Sequence, residues 1–268
     1  GTISSVILAR VLGPDGKGIF AVCTLIPFLI VTVFDFGVVP SSAYFLARRR
    51  HPPGEVLGNN ILFAGALGTA GVVLGAVAIS LLRATAFAAV PPACLYGCLL
   101  LAPLQIFFLF VQAVPLGLQR FADYNRAAVL RSAFFLIGTV MLVWAPPGGA
   151  LYALAASAFA WGLAGLVLFA ETRLLAGRPV LRLRRSYLRE VSRFGLQSHV
   201  GNLLSYLNYR GDLLLVNWLL GPAAAGFYSV SVLIAEQLWI FTNAVQPALF
   251  HPVAAENELP FTTDGWPG

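Results

Sequence analysis

Apolar residues run through this chain in long blocks, and polar residues gather in short intervals between them. A helix needs about 20 mainly apolar residues to cross the hydrocarbon core of a bilayer. On that ruler the blocks predict an N-terminal remnant over residues 1–11 and seven fuller spans: 18–39, 59–82, 86–117, 126–145, 149–172, 194–219 and 225–250. The intervals hold turn formers: residues 12–18 (Leu-Gly-Pro-Asp-Gly-Lys-Gly), 51–54 (His-Pro-Pro-Gly), 145–149 (Ala-Pro-Pro-Gly-Gly) and 220–226 (Leu-Gly-Pro-Ala-Ala-Ala-Gly). Proline fixes φ there, and glycine supplies backbone angles closed to other residues. The apolar runs are continuous and far exceed the roughly 10 residues of a barrel strand, which excludes a transmembrane β-barrel. The expected fold is an all-α integral membrane bundle.

Composition sharpens this expectation. Of 268 residues, 59% are hydrophobic and 10% charged, with a mean hydropathy of +0.82. Ordinary soluble domains run at about 45–50% apolar and about 25% charged, so a water-soluble globule is excluded. The excess of 17 Lys+Arg over 11 Asp+Glu then reads as a topology signal and not as nucleic-acid binding. Three arginines follow span two (48–50), three flank the junction of spans four and five (Arg120, Arg126, Arg131), and seven crowd residues 173–193. The opposite side offers Arg10, Lys17 and Arg83, so the arginine-rich side is assigned to the cytoplasm. The run at 182–193 reads first as a topology anchor on a solvated amphipathic linker, with an acidic partner or anionic lipid as the other option. Cys23, Cys94 and Cys98 lie in apolar stretches without His or acidic neighbours, so they read as buried side chains; no metal and no cofactor is expected.

One pattern repeats. Leu12-Gly-Pro-Asp-Gly-Lys-Gly-Ile-Phe-Ala-Val22 is echoed by Leu220-Gly-Pro-Ala-Ala-Ala-Gly-Phe-Tyr-Ser-Val230, an offset of 208 residues from 12 to 220. Six spans separate the copies, so both sit at outward turns in the same orientation. Parallel repeats of this kind imply two six-helix lobes about an axis along the membrane normal, with a central cavity between them. Two such lobes need about 416 residues, twice the offset, so 268 residues predict a fragment. Its expected divisions are a first lobe at 1–175, a basic cytoplasmic linker at 176–193, the first two helices of a second lobe at 194–254, and a non-helical tail at 255–268.

Three stretches carry a family resemblance: Leu8-Ala-Arg-Val-Leu-Gly-Pro14 with Asp35-Phe-Gly37; Leu116-Gly-Leu-Gln-Arg-Phe-Ala-Asp-Tyr-Asn125; and Phe194-Gly-Leu196 through Asp212 to Leu249-Phe-His-Pro-Val-Ala254. In order and spacing they resemble the polysaccharide flippases of the multidrug/oligosaccharidyl-lipid/polysaccharide exporter superfamily, over nearly the whole chain up to about residue 254. The resemblance implies alternating-access translocation of lipid-linked oligosaccharide repeat units across the bacterial inner membrane, with no enzymatic step. Its implied partners are that substrate, membrane lipids and a coupling proton or sodium ion, without nucleic acid. A drug or cation exporter, or a lipid II flippase, of the same superfamily is the nearest alternative. An integral-membrane glycosyltransferase or acyltransferase is the alternative of another class, disfavoured by short outward loops that offer only Asp15.

Span seven holds most of the intramembrane polar chemistry. At 100° per residue, Ser198, Asn202, Ser205, Tyr209 and Asp212 form one stripe, with His199, Tyr206, Arg210 and Asn217 on its flank. Charges facing acyl tails cost about 2.5–3.5 kcal/mol each on insertion scales, so Arg210, Asp212 and Glu236 are expected to face inward. At about 1.5 Å per residue, Arg210 and Glu236 lie about 14 and 16 Å from the outer ends of their spans, and the two are expected to pair, Asp212 sharing Arg210 or titrating alone. Arg210 would then meet the phosphates of an anionic lipid carrier, and Glu236 or Asp212 would take the coupling ion; a structural ion pair is the plainer alternative. Asp35, His199 and Tyr206 are secondary candidates, and Asp35 reads first as a carboxylate snorkelling to the interface near Arg48. Pro27, Pro103 and Pro115 are expected to kink their helices, Gly71 and Gly75 to permit close packing, and Trp144 and Trp218 to anchor at the outer interface.

Overall fold

The computed structural model describes residues 2–142, 149–183 and 185–256, apart from the side chains of 2, 185, 186, 192, 197, 198, 200, 202, 206–210 and 237–256. The described residues are helical, with short connections: α1 (Thr2–Phe34), α2 (Val38–Ala47), α3 (Pro53–Leu82), α4 (Pro92–Gly97), a 3-10 turn (Cys98–Leu100), α5 (Leu101–Gly117), α6 (Phe121–Met141), α7 (Gly149–Ala176) and α8 (Arg185–Glu256). The chain divides into two compact units, residues 1–229 and 230–268. In the second, helix extends to Glu256, and the expected non-helical tail lies outside the described residues from 257 onward. Trp144 also lies outside them; Trp218 is exposed.

Helix α5 organises the first unit. Leu, Ile, Phe and Val fill ten of its 17 positions, and Ile106, Phe110, Val111 and Val114 are fully buried where α5 packs on α2, α3 and α7. Two apolar clusters stack along the bundle. One joins Phe20, Cys23, Leu95, Leu99 and Ala153; the other joins Phe45, Val56, Phe110, Leu168 and Tyr187. The three cysteines are buried as expected, all within the first cluster. Gly71 and Gly75 face Ile30, and a Cβ on either would press into that side chain, so this pair does serve close packing.

Five described stretches are long and apolar enough to cross a membrane: Ile3–Phe34, Pro53–Leu82, Pro92–Gly117, Gly149–Ala176 and Gly211–Glu236. The difference from the expected remnant and seven spans has two causes. Remnant and span two form one helix, as do spans seven and eight, with helical dihedrals interrupted only at Gly13 (φ 65°) and Gly221 (φ 82°). Helix α6 falls short on apolarity, being interrupted by Arg126, which bonds Asp123 and Glu171, and by Arg131, which lies 4.4 Å over the Trp161 ring. The breaks fall at glycines; helical dihedrals persist through Pro27 and Pro115.

The basic segment between α7 and α8 is largely exposed, as a solvated linker, but it is tied to α3. Val180 donates its N–H to the Gly54 carbonyl at 2.9 Å, and a Cβ on Gly54 or Gly58 would run into the backbone of Arg178 or Val180. Tyr187 is fully buried and Val191 nearly so, while Arg178, Arg182, Arg189 and Arg193 stay exposed. Val180, Leu181 and Leu183 are themselves exposed, so the segment is held to the start of α3 through its backbone, and its arginines stay in solvent.

Candidate functional site

The repeated motif is the first structural element of the site. Its copies adopt the same backbone, each leaving helical geometry at the second position, Gly13 or Gly221, and resuming helix at the following proline. They also pack on each other. A Cβ on Gly18 would overlap the Pro222 carbonyl oxygen and lie 2.9 Å from the Gly226 nitrogen. A Cβ on Gly226 would overlap the Pro14 carbonyl oxygen and lie 3.1 Å from the Gly18 nitrogen. Such reciprocity, where position i meets j and j meets i, marks a local two-fold relation. The sequence showed the repeat; that its copies touch needed the fold. Beside this clasp Asn217 donates to the Ala86 carbonyl at 2.9 Å, tying α8 to the outer loop after α3.

A second junction lies at the other end of span two. Between α1 and α2 the chain breaks over Asp35-Phe36-Gly37, with Phe36 at φ 45° and Gly37 at φ 69°. A bulky residue in the left-handed region is strained and persists only where its surroundings enforce it. They do: a Cβ on Gly195 would overlap the Phe36 carbonyl, and the His199 ring, one turn further along α8, stacks on Phe36 at 5.3 Å between centroids. Asp35 Oδ2 accepts the Gly37 N–H at 3.2 Å, while Oδ1 is buried without a hydrogen-bond partner. The expected snorkelling carboxylate near Arg48 is therefore corrected: the turn folds Asp35 inward, and Arg48 instead lies 4.9 Å over the Tyr44 ring.

Next to this break is a buried polar network that the sequence reading missed. The Tyr187 hydroxyl donates to Asn60 Oδ1 at 3.2 Å and lies 2.9 Å from Ser42 Oγ, which itself donates to Asn60 Oδ1 at 3.1 Å. Asn60 closes the network by donating to the Phe110 carbonyl at 2.9 Å. Burial pushes the Tyr187 hydroxyl up to about 12; the Ser42 bond opposes this and the nearby Glu55 charge adds to it. His51 lies 3.3 Å from Glu190 and 3.9 Å from Glu55, so the loop before α3 also holds the start of α8. Tyr187 sits in the basic run, and its i, i+4 spacing to Val191, also buried, is the signal that could have found it.

Of the polar stripe on span seven, the side chains of Ser198, Asn202, Tyr206, Tyr209 and Arg210 lie outside the described residues. Ser205 is exposed and donates to the Gly201 carbonyl of its own helix. Asp212 is half-buried, and its partner is one the sequence reading did not name: the Tyr228 hydroxyl donates to Oδ2 at 2.5 Å. Glu236 is half-buried within the second unit. The structure thus brings together Asp35 with His199 and Asp212 with Tyr228; the expected Arg210–Glu236 pair rests on a side chain outside the described residues.

These features define an all-α, multi-pass membrane protein with two like-folded motifs meeting at one face. The chain belongs to the polysaccharide biosynthesis protein family, whose model matches residues 1–253. Membership ties it to the synthesis or export of polysaccharide. Comparison with curated proteins and with solved structures gave no match.

Proposed function

We propose that the protein is a transporter and not an enzyme, moving lipid-linked oligosaccharide or polysaccharide repeat units across the bacterial inner membrane by alternating access. The reciprocal contact of residues 12–18 with 220–226 carries this reading. Two like-oriented lobes that meet on a pseudo-two-fold can part on one face while closing on the other, with a path along the axis between them. The clasp at the outward turns then corresponds to an outward-closed state. Along the path, Arg210 offers a fixed positive fork to the phosphates of the lipid carrier, and the ionisable groups of spans seven and eight, Asp212 and Glu236, take part in ion coupling together with the polar stripe at Ser198, Asn202, Ser205 and Tyr209. Membership of the polysaccharide biosynthesis family supports a glycan-bearing substrate over a small drug or cation.

The test uses the full-length protein. Arg210→Ala and Glu236→Gln are compared with wild type for flipping of lipid-linked oligosaccharide at equal membrane abundance. Both are expected to lower flipping at least tenfold; unchanged flipping in both removes the pathway role and leaves a structural ion pair.

A further inference from the structure

The break in span two is built like an ion site. The apolar stretch of α1 ends at Phe34 and α2 starts at Val38, so the turn between them leaves backbone polar groups outside helix that need other partners. Here the interruption holds a carboxyl group. One oxygen of Asp35 caps the Gly37 N–H at 3.2 Å, and the other is buried with no hydrogen-bond partner. An ionised carboxylate with an unsatisfied oxygen away from water is costly, and a proton on that oxygen removes the charge. Helix α8 faces the same break. Gly195 lets its backbone approach Phe36 and Gly37, and His199, four residues on and so on the same helix face, is 7% exposed with its ring on Phe36. His199 is the titratable group that acts electrostatically on Asp35; its other neighbours in this role are the backbone N–H groups of Gly37 and Val39. Phe36 also lines a cavity of about 180 Å³ with Val38, Phe63 and Leu67, so the break adjoins open space.

We propose that this break is a proton-binding site, with Asp35 the carboxyl that takes up and releases the proton and His199 the positioning residue that tunes it from α8. Loading adds one proton from water to the Asp35 carboxylate and gives the neutral acid; release returns the proton and the charge. Because carboxyl and imidazole come from the two halves of the repeat, movement of α8 against the break changes the field at Asp35 and so its proton affinity. This names the coupling ion of the transport reading and rests on it.

The experiment is an infrared titration of the full chain in lipid nanodiscs, following the C=O stretch of protonated carboxyl groups. Wild type is compared with Asp35→Asn, with Asp35→Ser, whose hydroxyl keeps an acceptor for the Gly37 N–H, and with His199→Gln. Wild type is expected to lose one carboxylic-acid band as pH rises, and both Asp35 variants to lack it. His199→Gln is expected to move the midpoint by about threefold in proton concentration or more, because the electrostatic effect of the His199 ring on Asp35 is gone. The same titrating band in either folded Asp35 variant overturns the site, and an unmoved midpoint in His199→Gln overturns the role of His199. The titration reads proton binding alone, so a wild type that binds the proton but flips no lipid-linked oligosaccharide in vesicles defeats the transport reading and leaves the site standing.

Discussion

Helix α8 meets the first seven helices at two places that use opposite chemistry. At the outer clasp, Gly18 and Gly226 bring backbone against backbone with no polar side chain between them. At the inner junction a glycine contact is again present, between Gly37 and Gly195, but it is surrounded by a buried carboxylate, an imidazole and a hydrogen-bonded phenol. The first contact depends on an absence of atoms and is intolerant of volume. The second depends on particular atoms and is intolerant of their loss. Small residues at the clasp separate and re-pack without stranding polar groups, whereas any movement at the inner junction changes the surroundings of the polar groups it holds.

The largest loss is expected at the clasp. Gly18→Leu places a Cβ on the Pro222 carbonyl, a backbone atom that cannot rotate away, and is expected to cost about 3 kcal/mol or more in thermal unfolding of the detergent-solubilised protein. Gly226→Leu is expected to match it, and the double variant to cost less than the sum, because both strain one contact. Next comes the inner junction. Tyr187→Ala removes a fully buried ring and is expected to cost about 3 kcal/mol. Tyr187→Phe, which keeps the ring and drops the hydroxyl shared with Ser42 and Asn60, is expected to cost about 1 kcal/mol.

A pH titration of stability sharpens the contrast further. The folded Tyr187 hydroxyl stands near 12 against an ordinary 10, so its contribution is fully present below pH 10 and is lost as pH rises from 10 towards 12. Tyr187→Phe is expected to flatten that limb of the stability curve, whereas Gly18→Leu lowers the curve without changing its slope there. A smaller effect than at Gly18 is expected of Gly13→Ala. Nothing lies within 4 Å of a Cβ there, so only the backbone resists, its φ of 65° with ψ of −178° being a glycine region, at about 2 kcal/mol. A cost for Gly13→Ala equal to that of Gly18→Leu would show that backbone strain, and not the contact between motifs, is what the repeat preserves.

The family of the chain and the helical, membrane-embedded nature of its fold were legible in residue order, because hydrocarbon imposes its requirement locally: each apolar block satisfies its own backbone by forming helix and carries its own length. The basic runs were legible as well, and the arginines at 178, 182, 189 and 193 are exposed. The Gly-Pro repeat was visible as a pattern. Asp35 and His199 could be picked out as ionisable groups, and Asp212 as one that needs a partner.

Who that partner is belongs to the tertiary structure. Tyr228 meets Asp212 across 16 residues, His199 reaches the Asp35 break across 164, and Tyr187 enters a network with Ser42 and Asn60 at separations of 145 and 127. Hydrophobic pattern reports whether a side chain leaves water, and it is blind to which buried groups converge, since that depends on where breaks at Gly13, Gly37 and Gly221 redirect whole helices. The sequence alone therefore determined the solvent, the elements and the repetition. The fold decided that the two copies of the repeat clasp each other, because only packing brings residues 208 positions apart close enough that one missing Cβ on each side permits contact.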